Sequence, residues 1–286
     1  MTGLVMGAVA YDPKVVTIWD GFRAWFREQG LEFDYVLFSN YERQVDELVA
    51  GRIHAAWNSP LAWVRLARRA PSARALVMRD TDQGLTSVVV VRADSEIGSV
   101  ADLAGRTVAV GAVDSPQATL IPLSSLRAAG AGEVVVRRFD IGVGLHGDHI
   151  GGEREAARAV AAGQVDAACM IDANHLLFVR EGTLAAGSTR VVHQTAAYDH
   201  CNMTVIGGAN GRGERPVDVD PDVTRFEDLL LSMSYADPVV RPLLDLEGLT
   251  AWRPGRTSGY AALEAAVDET GFYDAEGNVT AADYRP

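Results

Sequence analysis

The stretch SNYERQVDELVAGRIHAAWNSPLAWVRLARRA, residues 39–70, carries the signals that decide the fold. YERQVDELVAG (41–51) spaces its apolar residues along one face of a helix and ends on a glycine, the residue that most readily takes the left-handed conformation after a helix. IHAAWN (53–58) is a short apolar run of the kind that forms a buried strand. Ser59 and Pro60 then mark a helix start: the hydroxyl can accept from a first-turn N–H, and proline lacks an N–H where none would find a partner. Helix, strand and helix in succession, with no hairpin turn between them, point to an α/β protein.

The same alternation extends in both directions. VMGAVAY (5–11) and LEFDYVLF (31–38) read as strands. Between them, Val15, Ile18, Trp19, Phe22, Trp25 and Phe26 fall at helical spacing. Towards the C-terminus, RALVMR (74–79), TSVVVVRAD (86–94), TVAVG (107–111), EVVVRRFD (133–140), VDAACMI (165–171), TRVVHQT (189–195) and CNMTVIGG (201–208) read as strands. Helices are expected after the turn VDSP, over EREAARAVAAG, and near 222–233, 238–246 and 258–270, with a loop at 208–216. The order implies parallel sheets flanked by helices.

Composition narrows the partners. With 286 residues and 48% hydrophobic content the chain can bury a sizeable core. A net charge of −12 repels nucleic acid and anionic membranes, and no apolar run approaches the roughly 20 residues of a membrane span. A small-molecule ligand is the expected partner. The first residues, MTGLVMGAVAYDPKVV, have no basic segment and no cleavage-site pattern, so the chain as given reads as cytoplasmic or as the mature form of an exported protein. Two cysteines, Cys169 and Cys201, allow one disulfide at most. Lys14 is the sole lysine, so any Schiff-base chemistry would have to use it.

In open α/β sheets ligands gather at the carboxyl ends of strands, where helix N-termini also point. The side chains expected there are Tyr11, Tyr41, Asn58, Ser59, Arg79, Asp114 and Ser115, then His146, Asp148 and His149, with His200 just before a strand. Asn58, Ser59 and Ser115 can donate to a ligand oxygen beside a helix start, and Arg79 can hold an oxyanion with two hydrogen bonds. The histidines sit in GVGLHGDHIGG (142–152), whose glycines argue for a loop in which Gly151 and Gly152 expose the N–H groups of the following helix.

His146, Asp148, His149 and His200 offer donor atoms suited to a first-row metal, or equally hydrogen bonds to an organic ligand. The sequence leaves room for a divalent metal and requires none. His146, His149, His200 and Cys201 are also the candidates for acid/base or nucleophilic chemistry, which keeps an enzyme as the alternative to a binding protein.

SNYERQVDELVAGRIHAAWNSPLAWV and RADSEIGSVADLAGRTVAVGAVDSPQA together resemble the substrate-binding proteins of phosphate, phosphite and phosphonate ABC transporters. The resemblance covers most of residues 3–206. It implies a periplasmic-binding-protein fold of two α/β lobes joined by two crossing strands, a polar or oxyanionic ligand in the cleft, and an ABC permease as partner. Lobe one is expected at 1–91 plus 198–286 and lobe two at 92–197, with hinges near Val91 to Ala93 and Ala196 to Asp199. The resemblance also implies a phosphonate-binding turn rich in small hydroxyls. VDSPQAT keeps Ser115 and Thr119 there but adds Asp114 and Pro116.

Overall fold

The computed structural model describes residues 3–140, 149–207 and 220–286. The chain begins with β1 (Leu4–Val9), α1 (Lys14–Glu28), β2 (Phe33–Phe38), α2 (Tyr41–Val49), β3 (Ala55–Asn58), α3 (Pro60–Arg69) and β4 (Ala73–Arg79). It continues with β5 (Ser87–Arg92), β6 (Thr107–Val110), a π-helical turn (Pro116–Leu120) running into α4 (Ile121–Ala128), β7 (Val135–Arg138), α5 (Ile150–Ala161), β8 (Ala167–Ile171), α6 (Asp172–Arg180) and β9 (Thr189–Gln194). The last part holds β10 (Asn202–Ile206), α7 (Pro221–Ser232), α8 (Arg241–Glu247), β11 (Trp252–Pro254) and α9 (Ala261–Thr270).

Local chemistry explains the helix ends in the opening stretch. Ser59 accepts from the Ala62 N–H at 3.2 Å and Pro60 occupies the first turn of α3, while Asn40 caps α2 by accepting from the Arg43 N–H at 2.8 Å. α1 buries Val15, Ile18, Trp19, Phe22, Trp25 and Phe26, the stripe read from the sequence.

The strands form two sheets. One is six-stranded in the order β11-β4-β10-β3-β1-β2 and the other five-stranded in the order β7-β6-β8-β5-β9. Strands linked through helices run parallel, as β1 does with β2 and β3, and β6 with β7 and β8. β5 and β10 depart from the expected parallel arrangement: each enters its sheet from the other one and pairs antiparallel with both neighbours. No crossover helix ties these strands to their neighbours, so the parallel rule does not bind them.

The boundary expected near residue 91 needs correction. β5 lies wholly in the second sheet, so the first passage between sheets falls at 80–86 rather than at Val91 to Ala93. A run such as VVVV suits the middle of either sheet, which is why the sequence carried no marker of the change. The return passage, 195–201, pairs with the outgoing one at Leu85 and Tyr198, whose main chains exchange two hydrogen bonds of 2.8 Å. His146, Asp148 and the loop expected at 208–216 lie outside the described residues.

Among the described residues, the cores are separate except in one place. Phe22, Phe26, Phe33 and Phe226 pack under the first sheet, and Val88, Val90, Met170 and Phe178 under the second. A third cluster joins Leu61 and Trp63 of α3 to Val113, Leu120 and Ile121 from beside β6, through Tyr260, Leu263, Phe272 and Tyr284 of the C-terminal segment. The C-terminal residues thus tie the two halves together along one side. Ion pairs from Arg127 to Glu269 and from Arg138 to Asp283 add to that seam.

Candidate functional site

A cavity of about 290 Å³ lies between the two sheets. Elements of the first sheet bring Tyr11, Lys14, Tyr41, Glu42, Trp57, Ser59 and Arg79 to its wall. Those of the second bring Asp114, Pro116, Gln117, His149, Ile150, Ile171 and Asn174. His200 and Cys201 come from the return passage, and Tyr273 and Tyr284 from the C-terminal segment. Lys14, Tyr41, Leu61, Pro116, Ile150 and Asn174 each stand in the first turn of a different helix, so several helix N-termini, with their partial positive charge, converge on one space.

Eight of the side chains expected at a site are therefore together: Tyr11, Tyr41, Ser59, Arg79, Asp114, His149, His200 and Cys201. Two are not. Asn58 is fully buried, accepting from Gln44 Nε2 at 2.8 Å and donating to Thr204 Oγ1 at 3.0 Å. Ser115 is fully buried as well, its hydroxyl accepting from the Ala118 N–H at 3.2 Å. Strand-end position was right for both, but each polar atom is used inside the fold. The Thr119 hydroxyl likewise donates to the Ala112 carbonyl at 2.7 Å. The turn expected to present small hydroxyls instead shows Asp114, Pro116 and Gln117 to the cavity.

Gly152 also has a different task from the one expected. It lies inside α5, buried, where an added Cβ would stand 2.2 Å from the Phe139 carbonyl oxygen. It permits close packing of α5 rather than exposing an N–H to ligand. Glu42, Tyr273 and Tyr284 were missed by sequence reasoning. No local motif marks the two tyrosines, which reach the cavity only because the chain end folds back across it.

One wall holds a network of charges. Arg79 donates to both oxygens of Asp82, from Nε at 2.6 Å and from an Nη at 3.0 Å, and to the Glu247 carbonyl at 2.9 Å, with its guanidinium 5.3 Å from the Trp57 ring centre. Burial works against ionisation of Asp82, but the Arg79 charge, with hydrogen bonds from His200 and Arg79, outweighs it and holds the carboxyl down to about 2. His200 Nδ1 lies 3.2 Å from Cys201 Sγ and 3.4 Å from Asp82 Oδ1. Burial disfavours the imidazolium, yet Cys201 and Asp82 together hold it up to about 10. The protonated imidazole is a fixed positive charge on the cavity wall.

Asp82, His200 and Cys201 also form a group whose donor atoms lie within 4.8 Å of one another, a geometry open to a metal ion. The donor chemistry does not fit one. Both Asp82 oxygens are taken by Arg79, and a buried guanidinium beside the site opposes a second cation. The metal set expected from His146, Asp148, His149 and His200 differs from this group, sharing only His200, and two of its members lie outside the described residues.

Two acidic side chains, Glu42 and Asp114, also line the cavity. Burial, with Glu42 close by, pushes Asp114 up to about 8. Glu42 accepts from the hydroxyls of Tyr284 at 3.1 Å and Tyr273 at 3.4 Å, both at the same oxygen.

The cysteines are both free, so the single bridge that composition allowed is not formed. Cys169 is wholly enclosed in β8, where burial raises its thiol to about 12, whereas Cys201 lines the cavity with 8% exposure. A thiol reagent under native conditions is expected to modify one equivalent, at Cys201, and bound ligand should slow that reaction. Equal labelling of both thiols, or rates indifferent to ligand, would contradict this placement.

The sequence from residue 7 to residue 260 matches the model of one family, described as ABC transporter, phosphonate, periplasmic substrate-binding protein. The chain belongs to this family. Its members' fold is also what solved structures display. PhnD1 from Prochlorococcus marinus, solved with methylphosphonate, superposes with a TM-score of 0.66 at 17% identity, covering 94% of this chain and 98% of that one. A Xanthomonas citri protein solved with ATP gives 0.69 at 20% identity, with coverages of 94% and 98%. The aliphatic sulphonate binding protein SsuA from Escherichia coli gives 0.54 at 18%, with coverages of 94% and 91%. At these identities the likeness establishes the two-lobed fold. Among curated proteins none matches the sequence. Family membership makes the chain a substrate-binding protein of the ABC-transporter type, holding a small molecule, rather than the enzyme kept as the alternative. No helix among the described residues is long and apolar enough to cross a membrane.

Proposed function

We propose that the cavity binds a phosphonate-type oxyanion and passes it to an ABC permease. The observation that carries this reading is the convergence of helix first turns on one space beside Arg79, Lys14 and His200. Fixed N–H dipoles and a charged imidazole favour an anion there without a large reorganisation of the site. The family supplies the class of anion.

The lobes in this reading are residues 1–79 plus 202–286 and residues 87–194, hinged at 80–86 and 195–201. The seam made by the C-terminal segment would restrict opening to the opposite side.

The test is thermal melting and calorimetric titration with methylphosphonate, phosphate and methanesulfonate. A ligand at 100 times its Kd stabilises the folded state by about 2.7 kcal/mol, which melting resolves easily. Methylphosphonate is expected to bind. Binding of the sulfonate alone would correct the head group, and no stabilisation by any of the three would overturn the proposal.

A further inference from the structure

We propose that the lobes turn about the paired links Gly84–Leu85 and Tyr198–Asp199, with Tyr198 as the positioning residue that couples this pivot to the cavity-lining turn after β6. The coupling rests on the binding function proposed above. The pivot rests on separate observations.

The two passages between the sheets pass from one lobe to the other at the same level. Asp199 is fully buried and receives two hydrogen bonds of 2.6 Å from the Arg256 guanidinium and one of 2.9 Å from the Gly84 N–H. Its own N–H donates to the Gly259 carbonyl at 2.9 Å, and the His200 N–H donates to the Asp82 carbonyl at 2.8 Å. The His200 carbonyl accepts from the Tyr260 hydroxyl at 2.6 Å, and Asp82 is held by Arg79 at the end of β4. These contacts fix residues 82–84 and 199–200 to lobe one.

One residue further, the contacts belong to lobe two. The Tyr198 hydroxyl lies 2.7 Å from Ser87 Oγ in β5. Ser87 has one hydroxyl proton and donates it to the Gln117 carbonyl at 2.6 Å, so Tyr198 is the donor to Ser87. Burial raises the pKa of the Tyr198 phenol, which keeps that proton in place. The Ser87 N–H donates to Thr195 Oγ1 at 3.0 Å, and the Ser87 carbonyl accepts from the Thr195 N–H at 2.9 Å. The Thr86 carbonyl accepts from the Asp172 N–H at 3.1 Å.

Neighbours in sequence that are held to opposite lobes leave the torsion angles between them as the place where the chain bends. The two links lie side by side, because Leu85 and Tyr198 pair. Gly84 has a φ of 69° and no Cβ to limit rotation there.

The chain from Tyr198 through Ser87 to the Gln117 carbonyl is buried, so none of its bonds is readily exchanged for one to water. Gln117 lines the cavity from lobe two and His200 lines it from beyond the pivot. Rotation of the lobes therefore moves the Gln117 turn against the His200 wall, and Tyr198 holds that turn in register from behind.

Amide exchange followed by NMR tests the pivot. Rotation about the links keeps the hydrogen bonds on both sides, so the Gly84, Leu85, Thr195 and Tyr198 amides should change rate less than about threefold when methylphosphonate binds. A larger change would show a bend spread along the passages and overturn the pivot. Asp199→Asn, or Arg256→Gln should that variant not fold, should speed exchange at Asp199 and His200 while leaving Thr195 unchanged. Equal acceleration at Thr195 would overturn the assignment of anchors.

Tyr198→Phe and Ser87→Ala test the coupling. Each should weaken methylphosphonate binding about 3- to 10-fold and speed exchange of the Ala118 amide in the turn. The double variant should lose no more than Ser87→Ala alone, because a chain broken at its middle member has nothing further to lose at its end. A tyrosine that only stabilised the fold would lower the melting temperature without changing affinity. Losses that add, or a Tyr198→Phe protein with unaltered affinity and Ala118 exchange, would overturn the role of Tyr198. If methylphosphonate does not bind the unaltered protein, the function proposed above falls, and the exchange rates of the ligand-free variants still decide the pivot and the coupling.

Discussion

Asp82→Ala is expected to destabilise the protein by about 3 kcal/mol, towards the lower end of what removing one member of a buried ion pair costs. The reason is what remains behind. Arg79 keeps a guanidinium enclosed against Trp57, with a side chain only 21% exposed, after losing both of its carboxylate hydrogen bonds. His200 loses one of the two groups that hold its proton. For a chain of this size the change corresponds to a fall in melting temperature of roughly 6–12 °C. The imidazole pKa of His200, followed by NMR, should also drop from its raised value. The sign follows from Asp82 being an anion that favours the imidazolium.

A paired replacement separates lost attraction from stranded charge. Arg79→Met combined with Asp82→Leu removes both ions and should recover part of the stability, the remainder staying lost because Glu247 and His200 each still lack a partner. A loss of less than 0.5 kcal/mol, on the order of an ordinary surface substitution, for Asp82→Ala would show that the network carries no structural weight.

The same residues show what a sequence exposes and what it hides. Asn58, Ser59 and Pro60 lie together at the end of β3, and their position beside a helix start was legible from residue type and order alone. Which way each side chain turns was not. Ser59 reaches the cavity rim, while the Asn58 amide goes to Gln44 and Thr204, the latter 146 residues away. Ser115 repeats the lesson in the other lobe, because a hydroxyl at a helix start can serve its own helix as readily as a ligand.

α6 escaped notice because its apolar residues form no stripe, with Phe178 buried and Leu176 largely exposed. β11 is three residues long and exists only by pairing with β4 at the sheet edge. Glu42 reads locally as an ordinary acidic residue in a first helical turn. Its burial depends on Tyr273 and Tyr284, placed by a chain segment more than 230 residues away.

Gly152→Ala is expected to lose about 1–3 kcal/mol of stability, the range for forcing an extra carbon into packed surroundings. It should weaken ligand binding at the same time. An added Cβ would meet the Phe139 carbonyl oxygen at 2.2 Å, a main-chain atom that cannot swing aside as the end of a long side chain could. Phe139 is itself held by a hydrogen bond from its N–H to the Val110 carbonyl at 2.9 Å, so β6 and the chain after β7 resist moving. The strain therefore falls on α5. That helix carries His149 and Ile150 to the cavity wall at one end and Glu153, which orients Gln117 and Asn174, one turn further on. A shift of α5 large enough to relieve the contact displaces a share of the second lobe's half of the site. Gly98→Ala is the control: its added carbon would find only Asp102 Oδ2, at 3.8 Å, and it should alter neither stability nor affinity. Melting and titration of the two variants side by side decide the matter, and a Gly152→Ala protein with full stability and full affinity would show that α5 does not need to lie so close.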